Sequence, residues 1–172
     1  YVRNSILYMA YKINGVIIDL EDMAMTTGSW TPTLGTVNTS NGFTSYSVQT
    51  GQYVKHDKIV HISFRIVVNG SMSGVGSNDH MWMYGLPFNA LSTSEAPNGK
   101  IELFRIPDSS GGLYGYLGQG SDRNPPMAYP LSNTNSMELM YDPTGDLHFT
   151  CGLMNSGTGR EFRGAGWYMT AS

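Results

Sequence analysis

Alternation of apolar and polar residues is clearest between positions 59 and 68. The apolar positions are Val60, Ile62, Phe64, Ile66 and Val68, and the residues between 60 and 66 are polar. A period of two is typical of a β-strand that buries one face against a core. A polar turn precedes this segment at 56–58, and Asn69-Gly70 follows it. The sequence therefore predicts strand, turn, long strand, turn.

Similar extended segments recur at shorter length after Trp30. Segments bounded by Gly, Asn, Asp, Pro or Ser lie at 45–50, 53–55, 59–68, 80–85, 100–106, 113–117, 136–141, 147–153 and 162–170. Short strands with turn-rich connections and no helical period predict an all-β fold, an antiparallel β-sandwich or jelly roll. The polar connections at 71–79, 91–99 and 118–135 are predicted as loops, where recognition surfaces are commonly built.

Residues 1–27 follow another pattern. Apolar residues at alternating spacings of three and four form a heptad seam: Ile6, Met9, Ile13, Val16, Leu20 and Met23. The seam predicts a short N-terminal helix that forms a trimeric coiled coil. Asn14-Gly15 lies between β-forming residues and favours a hairpin as the alternative. We expect a neck segment at 1–27 and a β-sandwich domain at 28–172.

Composition narrows the classes of function. With 172 residues, 40% of them apolar, the chain can bury the core of one domain. A net charge of -3 without a basic run argues against nucleic-acid binding. No apolar run reaches the roughly 18 residues of a membrane span, so no membrane insertion is expected. The single cysteine, Cys151, excludes an internal disulfide. Because the sequence begins with Tyr1, we expect a fragment from the end of a longer protein.

Four motifs then appear in a characteristic order. They are Gly28-Ser29-Trp30-Thr31-Pro32-Thr33-Leu34, Gly51-Gln52-Tyr53-Val54-Lys55, Gly85-Leu86-Pro87-Phe88 and Gly166-Trp167-Tyr168-Met169-Thr170. In this order they resemble the C-terminal β-sandwich of bacteriophage tail fibres and tailspikes, over about residues 28–172. The chain departs from that pattern at His56-Asp57-Lys58 and in the long 118–135 segment.

The resemblance implies a location, partners and a function. Such a domain lies at the distal end of the virion's tail appendage and acts outside the host cell. It forms a homotrimer, mediates trimerisation and binds bacterial surface polysaccharide such as capsule, O-antigen or teichoic acid. Two alternatives stay open: a polysaccharide-degrading tailspike with its active site upstream or between subunits, and a purely structural trimerisation cap.

Catalytic, metal and cofactor signals are weak. A glycosidase needs two carboxylates with opposite protonation states. The aspartates lie in turn contexts, however, and Glu102 and Glu138 are predicted on a solvated strand face. The four histidines do not have the spacing of a known metal motif, and no phosphate-binding glycine loop is present. We therefore predict no catalytic residue, no metal site and no cofactor.

Aromatic placement gives the candidate saccharide site. Sugar rings stack on Tyr or Trp, and polar side chains bind their hydroxyl groups. Alternation with Leu113 and Leu117 predicts that two tyrosines face outwards, and a second aromatic pair alternates with Met81 and Met83. The candidate residues are Tyr114, Tyr116, Gln119, Asp122, Arg123, Trp82 and Tyr84. An interface between subunits is the alternative role for these aromatic residues.

Overall fold

The computed structural model describes an antiparallel β protein. It describes residues 11–13, 16–18, 25–40, 42, 45–69, 75–76, 78–92, 99–107, 113–114, 127–140, 148–151 and 160–171. These residues contain no helix, and therefore no helix long and apolar enough to cross a membrane. The strands are β1 Tyr11–Ile13, β2 Val16–Ile18, β3 Met25–Trp30, β4 Thr33–Gly35, β5 Tyr46–His56, β6 Ile59–Val68, β7 Trp82–Tyr84, β8 Gly99–Pro107, β9 Leu113–Tyr114, β10 Met127–Pro130, β11 Ser136–Met140 and β12 Arg160–Met169. The all-β prediction is confirmed.

Ten of these strands form one curled sheet. Its hydrogen-bonded order is β3-β5-β6-β12-β8-β10-β11-β7-β4, with β9 paired to β8. The strands at the two ends of this order, β3 and β4, are joined in the chain by Thr31-Pro32 alone. So short a link keeps the two ends of the sheet close together, which requires the sheet to curl.

Strand β6 has the bounds and the alternation that the sequence predicts. Residues 60, 62, 64, 66 and 68 are all buried, and residues 59, 61, 63 and 65, which lie on the other face, are exposed. β6 pairs over most of its length with β5 on one side and with β12 on the other. It therefore contributes the middle of the hydrophobic core.

One row of core-facing residues alternates aromatic rings with glycines. Trp30, Gly51, Phe64 and Gly164 lie directly opposite one another on β3, β5, β6 and β12. A Cβ atom on Gly51 would lie 2.2 Å from the Trp30 indole nitrogen, and one on Gly164 would lie 2.7 Å from the Phe64 ring. The rings thus fill the space above the glycines. This explains why β5 is one strand, although the sequence predicts two segments separated by Gly51.

The four motifs that resemble tail-fibre domains contact one another. Trp30 of the first motif lies over Gly51 of the second. Gly85, at φ +88°, approaches Thr31 so closely that a Cβ atom would lie 2.5 Å from its carbonyl oxygen. The Tyr168 hydroxyl donates to the Phe88 carbonyl oxygen at 3.0 Å and accepts from the Phe88 amide at 3.1 Å. These motifs therefore stabilise the fold, so recognition must be sought elsewhere.

The helical prediction for the neck segment is wrong where the structure describes it. β1 and β2 form an antiparallel hairpin in which Ile13 lies opposite Val16. Asn14-Gly15 separates them in the sequence, and an Asn-Gly pair between β-forming residues favours a hairpin over a helix. The remaining seam residues, Ile6, Met9, Leu20 and Met23, lie outside the described residues.

Three further differences concern strands. β3 begins at Met25 and so spans the predicted boundary between residues 27 and 28. β10 lies within the 118–135 connection that the sequence predicts as a loop. The segment predicted as a strand at 147–153 contributes only isolated bridges, at His148 and Thr150, within the part that is described.

Candidate functional site

Strands β7 and β11 place an aromatic and polar surface on the outer face of the sheet. Met81 and Met83 are fully buried in the core, whereas Trp82 and Tyr84 are half-buried on the opposite face. Alternation therefore places this pair on the face opposite to Met81 and Met83. The two rings lie side by side, with centroids 6.0 Å apart and planes tilted by 37°.

A cross-strand row places a carboxylate beside Trp82. On β11, Glu138 lies opposite Trp82 on one side and opposite Tyr129 of β10 on the other. On β4, Gly35 lies opposite Trp82, and the backbone of Thr39 and Ser40 fills the space that a side chain on Gly35 would occupy. The indole is therefore flanked by an acid on one side and by the backbone of the 35–40 segment on the other.

Two histidines meet above this row. His80 lies two residues before β7 and forms an isolated bridge with Thr150, and His148 forms one with Met140 of β11. Their rings are stacked, with centroids 3.7 Å apart and planes 12° from parallel. Both Nδ1 atoms face Oε1 of Glu138, at 3.0 Å from His80 and 2.7 Å from His148. We refer to His80, Glu138 and His148 as the histidine–glutamate cluster.

The cluster contains one polar atom without a hydrogen bond. His80 Nδ1 donates to the Glu138 carboxylate, since an ionised carboxylate can only accept. His148 Nδ1 lies closer to the same oxygen but not in hydrogen-bonding geometry, and it is buried without a hydrogen-bond partner among the described residues. Leaving a buried polar group unsatisfied costs about 1–3 kcal/mol. A ligand that interacts with this nitrogen would recover that free energy.

The cluster and Trp82 line one open pocket of about 460 Å³. Val37, Asn78 and Asp79 complete its lining. The Asp79 carboxylate also accepts from the Gly76 amide at 2.7 Å, which holds the loop before β7 against the pocket. The pocket thus combines an aromatic face, an apolar side chain, two imidazoles, two carboxylates and an amide. Its volume lies in the range of about 300–1,000 Å³ that is usual for small-ligand sites.

Two neutral groups lie near the pocket. Burial raises the pKa of the Tyr84 phenol, whose hydroxyl donates to the Thr36 carbonyl oxygen. Cys151 is buried. Burial, with a smaller contribution from the Asp79 charge, raises the pKa of its thiol to about 11. Because the thiolate is the nucleophilic form, a thiol with a raised pKa is a weak nucleophile at neutral pH.

Of the predicted saccharide residues, Trp82 and Tyr84 have described side chains, and both lie in the surface described above. Tyr114 lies in β9, where only its backbone pairing to Ile106 is described. The predicted residues Tyr116, Gln119, Asp122 and Arg123 lie outside the described residues.

The histidine–glutamate cluster is not predicted from the sequence. The solvated position predicted for Glu138 is wrong, because its side chain is 17% exposed and contacts Nδ1 of both imidazoles. Glu102, predicted in the same way, has a side chain that is 47% exposed. His80 and Glu138 are 58 residues apart, so no local motif could reveal their contact. The alternation on β11 does place Glu138 on the same outer face as Trp82, and that is the signal the sequence contains.

Comparison with known proteins gives no match: no family model, no curated protein and no solved structure matches this chain.

A second outer surface, on β3, β5, β6 and β12, is apolar. The exposed fractions are 68% for Met25, 38% for Val54, 41% for Ile59 and 41% for Trp167. Strand register places Val54 and Trp167 in one row with His61 between them, and Met25 and Ile59 in the neighbouring row. We refer to these four residues as the outer apolar patch. Large exposed hydrophobic residues grouped in this way commonly mark an interaction surface.

Proposed function

We propose that this chain is the host-recognition module of a phage tail fibre or tailspike, a homotrimeric β-sandwich that binds bacterial surface saccharide. The observation that carries the proposal is the pocket beside Trp82. The order of the four sequence motifs, which resembles that in tail-fibre and tailspike domains, also supports the proposal.

The chemistry of the pocket suits a sugar. A sugar ring presents an apolar C–H face, which stacks on an indole, and a rim of hydroxyl groups that donate and accept hydrogen bonds. Trp82 offers the stacking face, because it is half-buried and lines the open pocket. Around it, Asn78 both donates and accepts, Glu138 accepts, and the imidazoles can do either. Saccharide binding needs no reaction, and we propose that the module leaves the polymer intact.

The outer apolar patch supports self-association. Its four side chains lie on the half of the sheet formed by β3, β5, β6 and β12, away from the β7–β11 strand pair that carries the pocket. A second and a third copy of the chain are the occupants we propose. Packing these copies through the patch would leave the Trp82 pockets of the trimer open to polysaccharide.

Saccharide binding is tested with Trp82→Ala. On an array of capsule, O-antigen and teichoic-acid fragments, the wild-type chain should bind at least one saccharide. Calorimetry with that saccharide should then show that the variant loses about 1–3 kcal/mol of binding free energy, which is the usual cost of truncating an aromatic anchor. The matched control is Phe104→Ala, because Phe104 is 54% exposed and lies on β8, outside the pocket. Unchanged affinity of Trp82→Ala, or no saccharide bound at all, would refute this function.

The oligomeric state and the absence of cleavage need separate measurements. Light scattering should report three chains for wild type and for Trp82→Ala, but fewer for Trp167→Asp, which places a charge in the outer apolar patch. A monomeric wild type would contradict the trimer.

Incubation with the bound polysaccharide should release no new reducing ends. If reducing ends appear and disappear in a carboxylate variant, the chain is a depolymerase.

A further inference from the structure

We propose that the histidine–glutamate cluster is a site for a first-row transition-metal ion of the Zn²⁺ type. One donor atom from each of His80, Glu138 and His148 lies within 4.8 Å of the others. The inference does not depend on saccharide binding, since it rests only on these three side chains and their contacts.

The donor set selects the class of metal. Two imidazoles and one carboxylate are typical ligands of zinc and of non-haem iron, and catalytic zinc sites commonly use three protein ligands with a fourth position left for water. Ca²⁺ and Mg²⁺ instead require mostly oxygen ligands. Cys151 does not complete the set, because it is buried in the hydrophobic core and is not among the residues whose donor atoms lie together. The open pocket leaves room for the fourth ligand.

The distances are close to those of a bound ion. Tetrahedral coordination at about 2.0–2.1 Å places neighbouring donor atoms roughly 3.3 Å apart. The two Nδ1 atoms lie 3.0 and 2.7 Å from the Glu138 oxygen, so a small outward movement suffices. The in-plane lone pairs of parallel rings do not converge on one point, and therefore one imidazole must rotate. His80 has room to rotate because its side chain is 47% exposed.

A second, independent observation supports the site. His148 Nδ1 is buried and makes no hydrogen bond with the described residues, although it faces the Glu138 oxygen. A cation between the two atoms would satisfy this nitrogen and neutralise the carboxylate at once. For His80 Nδ1 to bind the ion, the proton that this nitrogen now donates to Glu138 must move to Nε2, so that the neutral imidazole binds through the lone pair on Nδ1.

The experiment uses the whole chain and the metal alone. Protein freed of metal by dialysis against a chelator is titrated with ZnCl₂ in a calorimeter, and the visible spectrum of the Co²⁺ form reports the donor atoms. We expect one ion per chain and a higher melting temperature in Zn²⁺, because a ligand that binds only the folded state stabilises it. His80→Ala, Glu138→Gln and His148→Ala should each weaken binding about tenfold or more, since even an indirect partner of a metal ligand contributes about 10–100-fold.

Matched controls identify the site. His61→Ala and Glu102→Gln remove an exposed histidine and an exposed glutamate from β6 and β8 and should leave zinc binding unchanged. If His148→Ala does not fold by circular dichroism, the more exposed His80 variant and the isosteric Glu138→Gln decide the result. Absence of zinc uptake, uptake unaffected by the cluster variants, equal loss in the controls, or tighter binding of Ca²⁺ or Mg²⁺ than of Zn²⁺ would each overturn the proposal.

Discussion

Gly51→Ala should destabilise the chain, although it adds only one methyl group. The new Cβ atom would lie 2.2–2.5 Å from three atoms of the Trp30 indole, whereas ordinary contact begins at 3.4 Å. The ring would therefore have to move by about 1 Å. Trp30 is 7% exposed and packs edge-on against Phe64 with centroids 6.0 Å apart, so it cannot move without losing contacts.

The size of the effect follows from the buried area. A buried tryptophan removes about 150–250 Å² from water, worth roughly 4–6 kcal/mol at about 25 cal/mol per Å². Losing a third to a half of that burial costs about 2–3 kcal/mol. Replacing glycine also lowers the conformational entropy of the unfolded chain, which stabilises the folded chain by about 0.4–1 kcal/mol. We expect the free energy of unfolding to fall by about 1–3 kcal/mol. The melting temperature should fall by roughly 2–4 °C for each kcal/mol.

Urea unfolding followed by far-UV circular dichroism measures this loss, at one fixed protein concentration because self-association would shift the midpoint. Gly76→Ala is the control, since its nearest contact would be a carboxylate oxygen of Asp79 at 3.2 Å, at the end of a side chain. A double-mutant cycle with Trp30→Phe tests the cause. The smaller ring should cost less in the Gly51→Ala background than in wild type. Equal costs in both backgrounds, or wild-type stability for Gly51→Ala, would refute the clash.

Three further predictions concern buried polar groups. Tyr168→Phe leaves one amide and one carbonyl group of the 85–88 turn without a partner and should cost about 1–3 kcal/mol in urea unfolding; a cost near zero would show that water replaces the hydroxyl. Cys151 should react with a thiol reagent far more slowly in the native protein than in urea. The pKa of the Cys151 thiol in the folded chain, about 11, exceeds the ordinary value of 9.0. The contribution of the neutral thiol to the free energy of unfolding is therefore fully present below about pH 9 and is lost as the pH rises towards 11. An equally steep loss of stability at alkaline pH in Cys151→Ala would contradict this. Glu161→Ala should cost about 1–2 kcal/mol, less at high salt, because Arg65 and Arg163 lie directly opposite each other and both contact its carboxylate; loss that is independent of salt would point to packing instead.

The sequence predicts the fold best where one strand face is fully buried. On β6, five buried residues alternate with an exposed or half-exposed set, so periodicity alone gives its bounds. β10 escapes prediction because its short Met-Ala-Tyr-Pro sequence is buried at three of four positions and shows no alternation. β3 escapes because its first residues are exposed and include Thr-Thr-Gly-Ser, which is typical of a linker. For β1 and β2, the Asn14-Gly15 pair and the heptad pattern of apolar residues predict different structures, and the hairpin predicted by the local pair is the one that forms.

The candidate site likewise contains residues whose position follows from local alternation and residues that meet only through strand pairing. Trp82 and Tyr84 could be predicted on an outer face, because local alternation with methionines determines their direction. The meeting of His80, Glu138 and His148 depends on β7 pairing with β11 and on two isolated bridges. Strand order is a property of the whole sheet, and residues that meet through it carry no common spacing in the sequence.

The position of β12 has a consequence for how the chain is made. This strand is the last in sequence, yet it lies inside the sheet, paired with β6 on one side and with β8 on the other. During synthesis, β3, β5 and β6 emerge early and must wait for residues 160–169 before the two halves of the sheet can join. A chain cut short by a premature stop or by a protease before Arg160 would expose the core edges of both halves. The core is thus completed only once β12 has been synthesised, and products that lack this strand should be removed by cellular proteases.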